Sequence, residues 1–223
     1  MTNYHKKILI ISPHLDDEVL GCGGTIQYFK KTKSEVNVIF IADRKYNNKI
    51  ISHKIKSDRN EANKAKKLLK YDKQFFLGFN DESLYLNIDK IIIELVKLVK
   101  QLKPDTIFCC SPDDNNHDHY STFVAAKIVM RWVYGVKNVY LYEVPSSSEV
   151  SPNIKSSLFE PNLFVNIDNF IQNKIKALNC YKSEKRSFPN ARSKEGIITY
   201  AKFRGMMSGH KNAEAFRVIK QII

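Results

Sequence analysis

The sequence has little that would hold a chain together outside a packed core, and nothing that would carry it through a bilayer. No apolar run approaches the ~20 residues of a membrane-spanning helix, so no membrane span is expected. The apolar start, Ile8 to Ser12, is too short for a secretory signal and runs into charged residues. The expected location is the cytoplasm. The four cysteines, Cys22, Cys109, Cys110 and Cys180, form no Cys-x-x-Cys pair. Adjacent strand residues point to opposite faces, so Cys109 and Cys110 do not converge on one metal; the cysteines read as reduced core residues. Nothing repeats and no stretch is of low complexity, which excludes solenoids and disordered linkers. Acid is scarce as well: 23 Asp and Glu face 36 Lys and Arg, a formal net charge of +13.

What is present suffices for a folded enzyme-sized unit. The 223 residues are 43% hydrophobic and 11% aromatic, and a chain of this length buries roughly 70–75% of its unfolded surface without staples. No linker interrupts it, so residues 1–223 read as a single domain. The excess charge is mostly lysine and concentrates in Arg44–Lys73 and Lys174–Lys220. It fits either a solvated lysine-rich surface or attraction to a polyanion such as nucleic acid, anionic lipid or a phosphorylated substrate.

Periodicity gives an alternating pattern. Lys7–Ser12, Glu35–Ala42, Gln74–Leu77, Asp105–Cys110 and Asn138–Glu143 are short β-branched or aromatic runs that predict strands. Between them, Glu18–Lys31, Ile50–Leu69, Ile88–Leu102 and His119–Tyr134 have helical spacing, with Trp132 on an apolar face as a core residue. Strands alternating with helices imply right-handed βαβ units and a mainly parallel sheet covered on both faces. After Glu143 a loop marked by Pro145, three serines and Pro152 breaks the rhythm. One further strand at Leu163–Ile167 and helices at Asp168–Lys182, Glu195–Met206 and Asn212–Ile219 follow. The expected fold is α/β, a Rossmann-like three-layer sandwich with a mainly parallel sheet and a helical C-terminal addition.

Two loops carry the chemistry. The first strand ends in Ser12-Pro-His-Leu-Asp-Asp-Glu18 and the fourth in Pro112-Asp-Asp-Asn-Asn-His-Asp-His119. Carboxylates crowded with imidazoles raise one another's pKa values or recruit a cation. In a doubly wound sheet strands 1 and 4 are neighbours at the switch point, outside whose carboxyl ends ligands bind. A His and an Asp from the first loop and a His from the second would leave room for water, the open arrangement of a catalytic metal site. Such ligands suit Zn2+, and also Fe2+ or another divalent ion. Alone, Asp16-Asp17-Glu18 would read as an acidic first turn of a helix; two such loops on adjacent strands favour the metal.

Pro13-His-Leu-Asp-Asp-Glu18, followed by Val-Leu-Gly-Cys-Gly-Gly24, resembles the signature of the LmbE-like, or PIG-L, N-deacetylases, with Leu15 replacing the usual proline. Asn116-His-Asp-His119 resembles their second signature, and the likeness extends along nearly the whole chain. The C-terminal half is similar to a branch found with bacterial surface-polysaccharide and glycan genes. The resemblance implies a mononuclear zinc site of His14, Asp17 and His119, Asp16 as general base, and hydrolysis of an N-acetyl group from an amino sugar. The partner it implies is an N-acetylated sugar, free or linked to a nucleotide, lipid or polymer. Zinc would activate water and polarise the amide. Asp16 would move the proton, and Asp118 would steady its neighbours by hydrogen bonds. Glu18 is expected to cap or orient the helix. Asn116 and Asn190 stand where histidines are usual. Asn116 can donate a hydrogen bond to an oxyanion but cannot carry a proton. A metal-binding member without activity is the alternative this raises.

Arg59, Asp81, Glu143 and Arg192 are candidate substrate contacts. Against this, Arg59 could form a surface ion pair, and Arg192 and Arg204 could pair with Glu184 and Glu195. His117 is expected to face solvent. Gly21-Cys-Gly-Gly24 and Asp43 mimic a dinucleotide fingerprint, but the glycines follow the acidic run and do not directly follow the strand. No helix-turn-helix, RNP or zinc-finger spacing appears, so no specific nucleic-acid partner is expected. A homo-oligomer is compatible with the sequence.

Overall fold

The computed structural model describes residues 5–44, 51–148 and 159–222. Ile50, the expected start of the second helix, and Pro152 lie outside them. The elements run β1 (Lys7–Ser12), α1 (Asp17–Lys31), β2 (Glu35–Asp43), α2 (Ser52–Leu69), β3 (Lys73–Asn80), α3 (Ile88–Leu102), β4 (Thr106–Cys110), α4 (His117–Val129), β5 (Asn138–Tyr142), β6 (Leu163–Asn166), α5 (Ile171–Leu178), α6 (Lys194–Ser208) and β7 (Ala213–Lys220). They build one seven-stranded sheet in the order β3-β2-β1-β4-β5-β7-β6. Strands β1 to β5 are parallel, and β7 runs antiparallel to both β5 and β6.

Strand β1 lacks the alternation of a half-exposed strand because both its faces are covered: Ile8, Leu9, Ile10 and Ile11 are all buried. Helix α3 buries Ile91, Leu95, Leu98, Val99 and Leu102, the stripe its spacing predicts, and ends at Lys103 in the left-handed region just before Pro104. Helix α1 lies unusually close to its neighbours. A Cβ on Gly21 would stand 2.3 Å from the Tyr142 ring, and one on Gly24 would stand 2.4 Å from Ile167. A buried ion pair fastens the same stretch. Lys174 Nζ donates to Glu214 (2.6 Å) and to the Leu20 carbonyl (2.7 Å), while Glu214 accepts from the N–H groups of Gly24 and Thr25 (2.8 and 2.7 Å).

Four expectations need correction. Residues Asn212–Ile219 are not a helix; Ala213–Lys220 forms β7. The segment is rich in helix formers, but the open edge of β5 needs hydrogen-bond partners, and that demand overrides propensity. The C-terminal addition therefore contributes two strands as well as helices. Helix α4 stops at Val129, and Trp132–Tyr134 is a separate 3-10 turn. Trp132 is consequently not in the core but 78% exposed. The fifth helix is shorter than Asp168–Lys182, spanning Ile171–Leu178. Cys22, Cys109 and Cys110 are buried free thiols, but Cys180 is only half-buried.

Candidate active site and metal centre

Strands β1 and β4 are neighbours, so the loops at their carboxyl ends meet. The chain turns sharply after β1: Asp16 sits at φ 97°, a left-handed conformation, and α1 begins at Asp17. On the other side, Asn116 caps α4 by accepting from the N–H of Asp118 at 2.8 Å. That bond orients the amide, whose N–H groups are what it can donate to a ligand.

One ligand atom each from His14, Asp17 and His119 lies within 4.8 Å of the others. Asp17 Oδ2 is 3.2 Å from His14 Nδ1 and 3.3 Å from His119 Nε2, whereas Asp17 Oδ1 is buried with no hydrogen-bond partner. Each imidazole has a second carboxylate behind it. His14 Nε2 is 3.1 Å from Asp118 Oδ2, and His119 Nδ1 is 2.9 Å from Asp114 Oδ2. Asp118 also accepts from the N–H groups of Glu82 (2.6 Å) and Leu84 (3.1 Å), which ties the loop after β3 to α4.

The electrostatics are those of a cation site. Burial pulls His14 down, but hydrogen bonds to Asp118 and Asp17 outweigh it and push the ring up to about 10. His119 follows the same pattern: burial lowers it, and Asp17 and Asp114 raise it to about 9. Burial works to raise Asp17, yet the two imidazoles hold it well below the usual carboxylate range. The cluster therefore gathers positive charge, as protons when no metal is bound. Two imidazoles, a carboxylate and an orphaned buried carboxylate oxygen fit a divalent ion.

Asp16 stands apart from that set. Its Oδ2 is buried without a hydrogen-bond partner, 3.4 Å from Arg192 Nη1. Burial raises its pKa to about 6, opposed by the charge of Arg192. Glu18 is buried, pushed up to about 8 by burial against a hydrogen bond from Tyr181, and accepts from the Asp16 N–H at 3.1 Å. Its carboxylate ties the turn at Asp16 to Tyr181.

A cavity of about 450 Å3 opens above these groups, lined by His14, Asp16, Asn116, His117 and Asp118 on one side. Its other walls include Asp58, Glu61, Asp81 and Glu82, and Tyr181, Glu184 and Arg192. Asp81 and Arg192 thus reach the cavity. Arg192 also donates to Glu184 and to Ser146 Oγ (2.8 Å), and Glu184 is paired with Arg44. Arg59 and Glu143 are not among the lining residues. Arg59 grips Asp43 with two nitrogens and lies over the Phe76 ring at 4.8 Å. Glu143 is held by Arg204 (2.8 and 2.5 Å) and Tyr200 (3.2 Å) in a smaller cleft; Arg204 does not pair with Glu195 here. Asn190 is exposed, its side chain accepting from the Arg192 N–H. Sequence reasoning assigned no role to Asp114, although it lies in the quoted cluster, nor to Tyr181 and Glu184 as walls of the site. The last two had no local signal, being far from Asp16 along the chain.

Two imidazoles and a carboxylate at the switch point, with the buried carboxylate of Asp16 beside them, make up the kind of donor set found in metal-dependent hydrolases. Residues 9–130 match the PIG-L family, described as GlcNAc-PI de-N-acetylase, and the chain belongs to it. The diacetylchitobiose deacetylase of Thermococcus kodakarensis is 26% identical over 97% of this chain and 84% of its own length. The structure of N,N'-diacetylchitobiose deacetylase from Pyrococcus horikoshii superposes with a TM-score of 0.78 at 23% identity, covering 97% of this chain and 84% of that one. The fold alone does not fix the reaction: the 4-carboxy-2-hydroxymuconate hydratase GalB of Pseudomonas putida superposes with a TM-score of 0.75 at 18% identity, covering 98% of both chains.

Proposed function

We propose that this chain removes the N-acetyl group from an amino sugar or glycoconjugate, using zinc held by His14, Asp17 and His119. A divalent ion there supplies Lewis acidity, lowering the pKa of a water towards about 7 and polarising an amide carbonyl. The rest is the work of side chains. Asp16 takes a proton from the attacking water at Oδ2 and returns it to the leaving nitrogen, yielding acetate and a free amine. Arg192 keeps Asp16 ionised and in place. Asn116 offers an N–H to the oxyanion of the tetrahedral intermediate. Asp118 and Asp114 hold the two imidazoles in one orientation. The acids Asp58, Glu61, Asp81 and Glu82 in the cavity wall, with Arg44 and Arg192 engaged by Glu184, favour a neutral sugar over a phosphate handle among the described residues.

The observation that carries this reading is Asp16 Oδ2, buried and without a hydrogen-bond partner in the residue preceding a ligand carboxylate. The test is acetate release by the zinc-loaded enzyme from N-acetylated sugars that are free, nucleotide-linked, lipid-linked or polymeric. Asp16→Asn is expected to retain zinc and to release acetate at least about a hundredfold more slowly. If the zinc-loaded wild type releases none from any of them, the chain is a metal-binding family member without this activity.

A further inference from the structure

The cavity leaves most of the +13 charge unexplained, because its walls are acidic. Part of it stands at the other end of the sheet. At the amino-terminal edge of the parallel strands, opposite the cavity, Lys7 opens β1, Lys33 precedes β2, Lys70 and Lys73 flank the start of β3, Lys103 precedes β4 and Lys137 precedes β5, and all are exposed. The acids at this edge are already engaged. Asp105 accepts from the backbone N–H groups of Lys6 and Lys7 (3.0 and 2.9 Å) and from the Thr106 hydroxyl (2.7 Å). Asp72 accepts from Lys30 Nζ (2.6 Å) and the Val36 N–H (2.7 Å), and Glu35 accepts from the Asn37 amide (2.9 Å). What remains is a broad cationic face.

An apolar tip stands within it. Lys100, Lys103 and Arg131 share a shallow hollow with Val133 and Tyr134, and beside it Trp132 is 78% and Val133 56% exposed. The turn that presents them is pinned. Gly135 N–H donates to the Trp132 carbonyl (2.8 Å) and Tyr134 N–H to the Arg131 carbonyl (3.1 Å), while Lys220 Nζ ties the end of β7 to the Met130 carbonyl (2.6 Å). An exposed tryptophan and valine on a turn beside Lys100, Lys103 and Arg131 match the headgroup boundary of a bilayer. An indole is stable at that depth, and lysines are drawn to anionic lipid.

We propose that the amino-terminal edge of the sheet is a docking face for bilayers rich in anionic phospholipid, held by the lysines of the helix-to-strand turns and anchored by Trp132 and Val133. A nucleic acid is less well matched. The face carries mainly strongly hydrated lysines, with Arg131 alone among the residues named offering a guanidinium fork of the kind that grips phosphate, and among the described residues it presents no row of aromatic rings on which bases could stack. Docking would orient the enzyme. Strand β1 has six residues, which separates the two ends of the sheet by ~20 Å, so the cavity would open away from the bilayer.

The test uses the full chain with vesicles of phosphatidylglycerol and phosphatidylcholine, compared with phosphatidylcholine alone. The protein should sediment with the anionic vesicles only and be released as salt rises. The chain has one tryptophan, so its emission reports on Trp132 directly and should shift to the blue on binding. Combining Lys100→Glu, Arg131→Glu and Lys137→Glu should weaken vesicle binding by roughly a hundredfold, with thermal unfolding and acetate release from a dissolved sugar unchanged. Trp132→Ser should weaken it too. No preference for anionic vesicles overturns the proposal, as does binding that the triple variant leaves unchanged. A polynucleotide that displaces the vesicles and quenches Trp132 would assign the face to nucleic acid. A blue shift that grows with protein concentration in the absence of vesicles would assign it to a second copy. Either result overturns the proposal.

Discussion

His119 Nδ1 lies 2.9 Å from Asp114 Oδ2, and the same oxygen accepts hydrogen bonds from Ser147 and Ser148 at 3.0 Å each. The loop after β5 thus reaches through Asp114 to hold the His119 imidazole, leaving its Nε2 towards Asp17. Removing such an outer carboxylate costs about 10- to 100-fold in metal affinity. Asp114→Ala should weaken zinc binding by that amount in a competition titration, and Ser147→Ala with Ser148→Ala should weaken it less. An Asp114→Ala variant with unaltered affinity would deny Asp114 this role.

Metal binding should release protons. In the metal-free protein His14 is raised to about 10 and His119 to about 9, both by carboxylates that outweigh burial. At neutral pH both rings are therefore protonated, and both must lose a proton to become ligands. Zinc affinity should rise with pH through the neutral range. Calorimetry in buffers of differing ionisation enthalpy should register this release; zinc uptake with no proton release would contradict the charge balance described.

Arg192 should set the acid limb of the pH–rate profile. Its guanidinium opposes the burial that raises Asp16, so it favours the carboxylate form that acts as base. Removing the positive charge makes that form harder to reach. In Arg192→Ala the acid limb of kcat/KM should move to higher pH, with a smaller move in Arg192→Lys. A limb that stays in place while activity falls would make Arg192 a substrate contact only.

The buried Lys174–Glu214 pair should matter to stability more than to chemistry. Both residues are almost wholly buried and hold the backbone of α1 at Leu20, Gly24 and Thr25. Removing one partner of a buried pair costs about 3–5 kcal/mol. Lys174→Met should lower the denaturation midpoint accordingly, and adding Glu214→Gln should restore part of the loss. Additive losses in the double variant would show that the two residues act independently.

Much of this protein was legible along the chain. The strand–helix alternation from Lys7 to Tyr142 needs only local periodicity, and the histidines and aspartates of the site lie in two short loops whose strands the topology sets side by side. Long-range relationships were not legible. Ala213–Lys220 has helix-forming residues yet becomes β7, because the edge of β5 supplies hydrogen bonds that no local signal announces. Trp132 falls outside the core because α4 ends one turn early and its phase is lost. The wall formed by Glu184 and Arg192 joins α1 to a segment far along the sequence, where only packing decides proximity. The sequence by itself determined the chemistry of the candidate metal ligands and the parallel core that brings them together, since both rest on short-range pattern. Tertiary structure alone decided which carboxylates stand behind the imidazoles, what lines the cavity, and that a set of exposed lysines stands at the opposite end of the sheet.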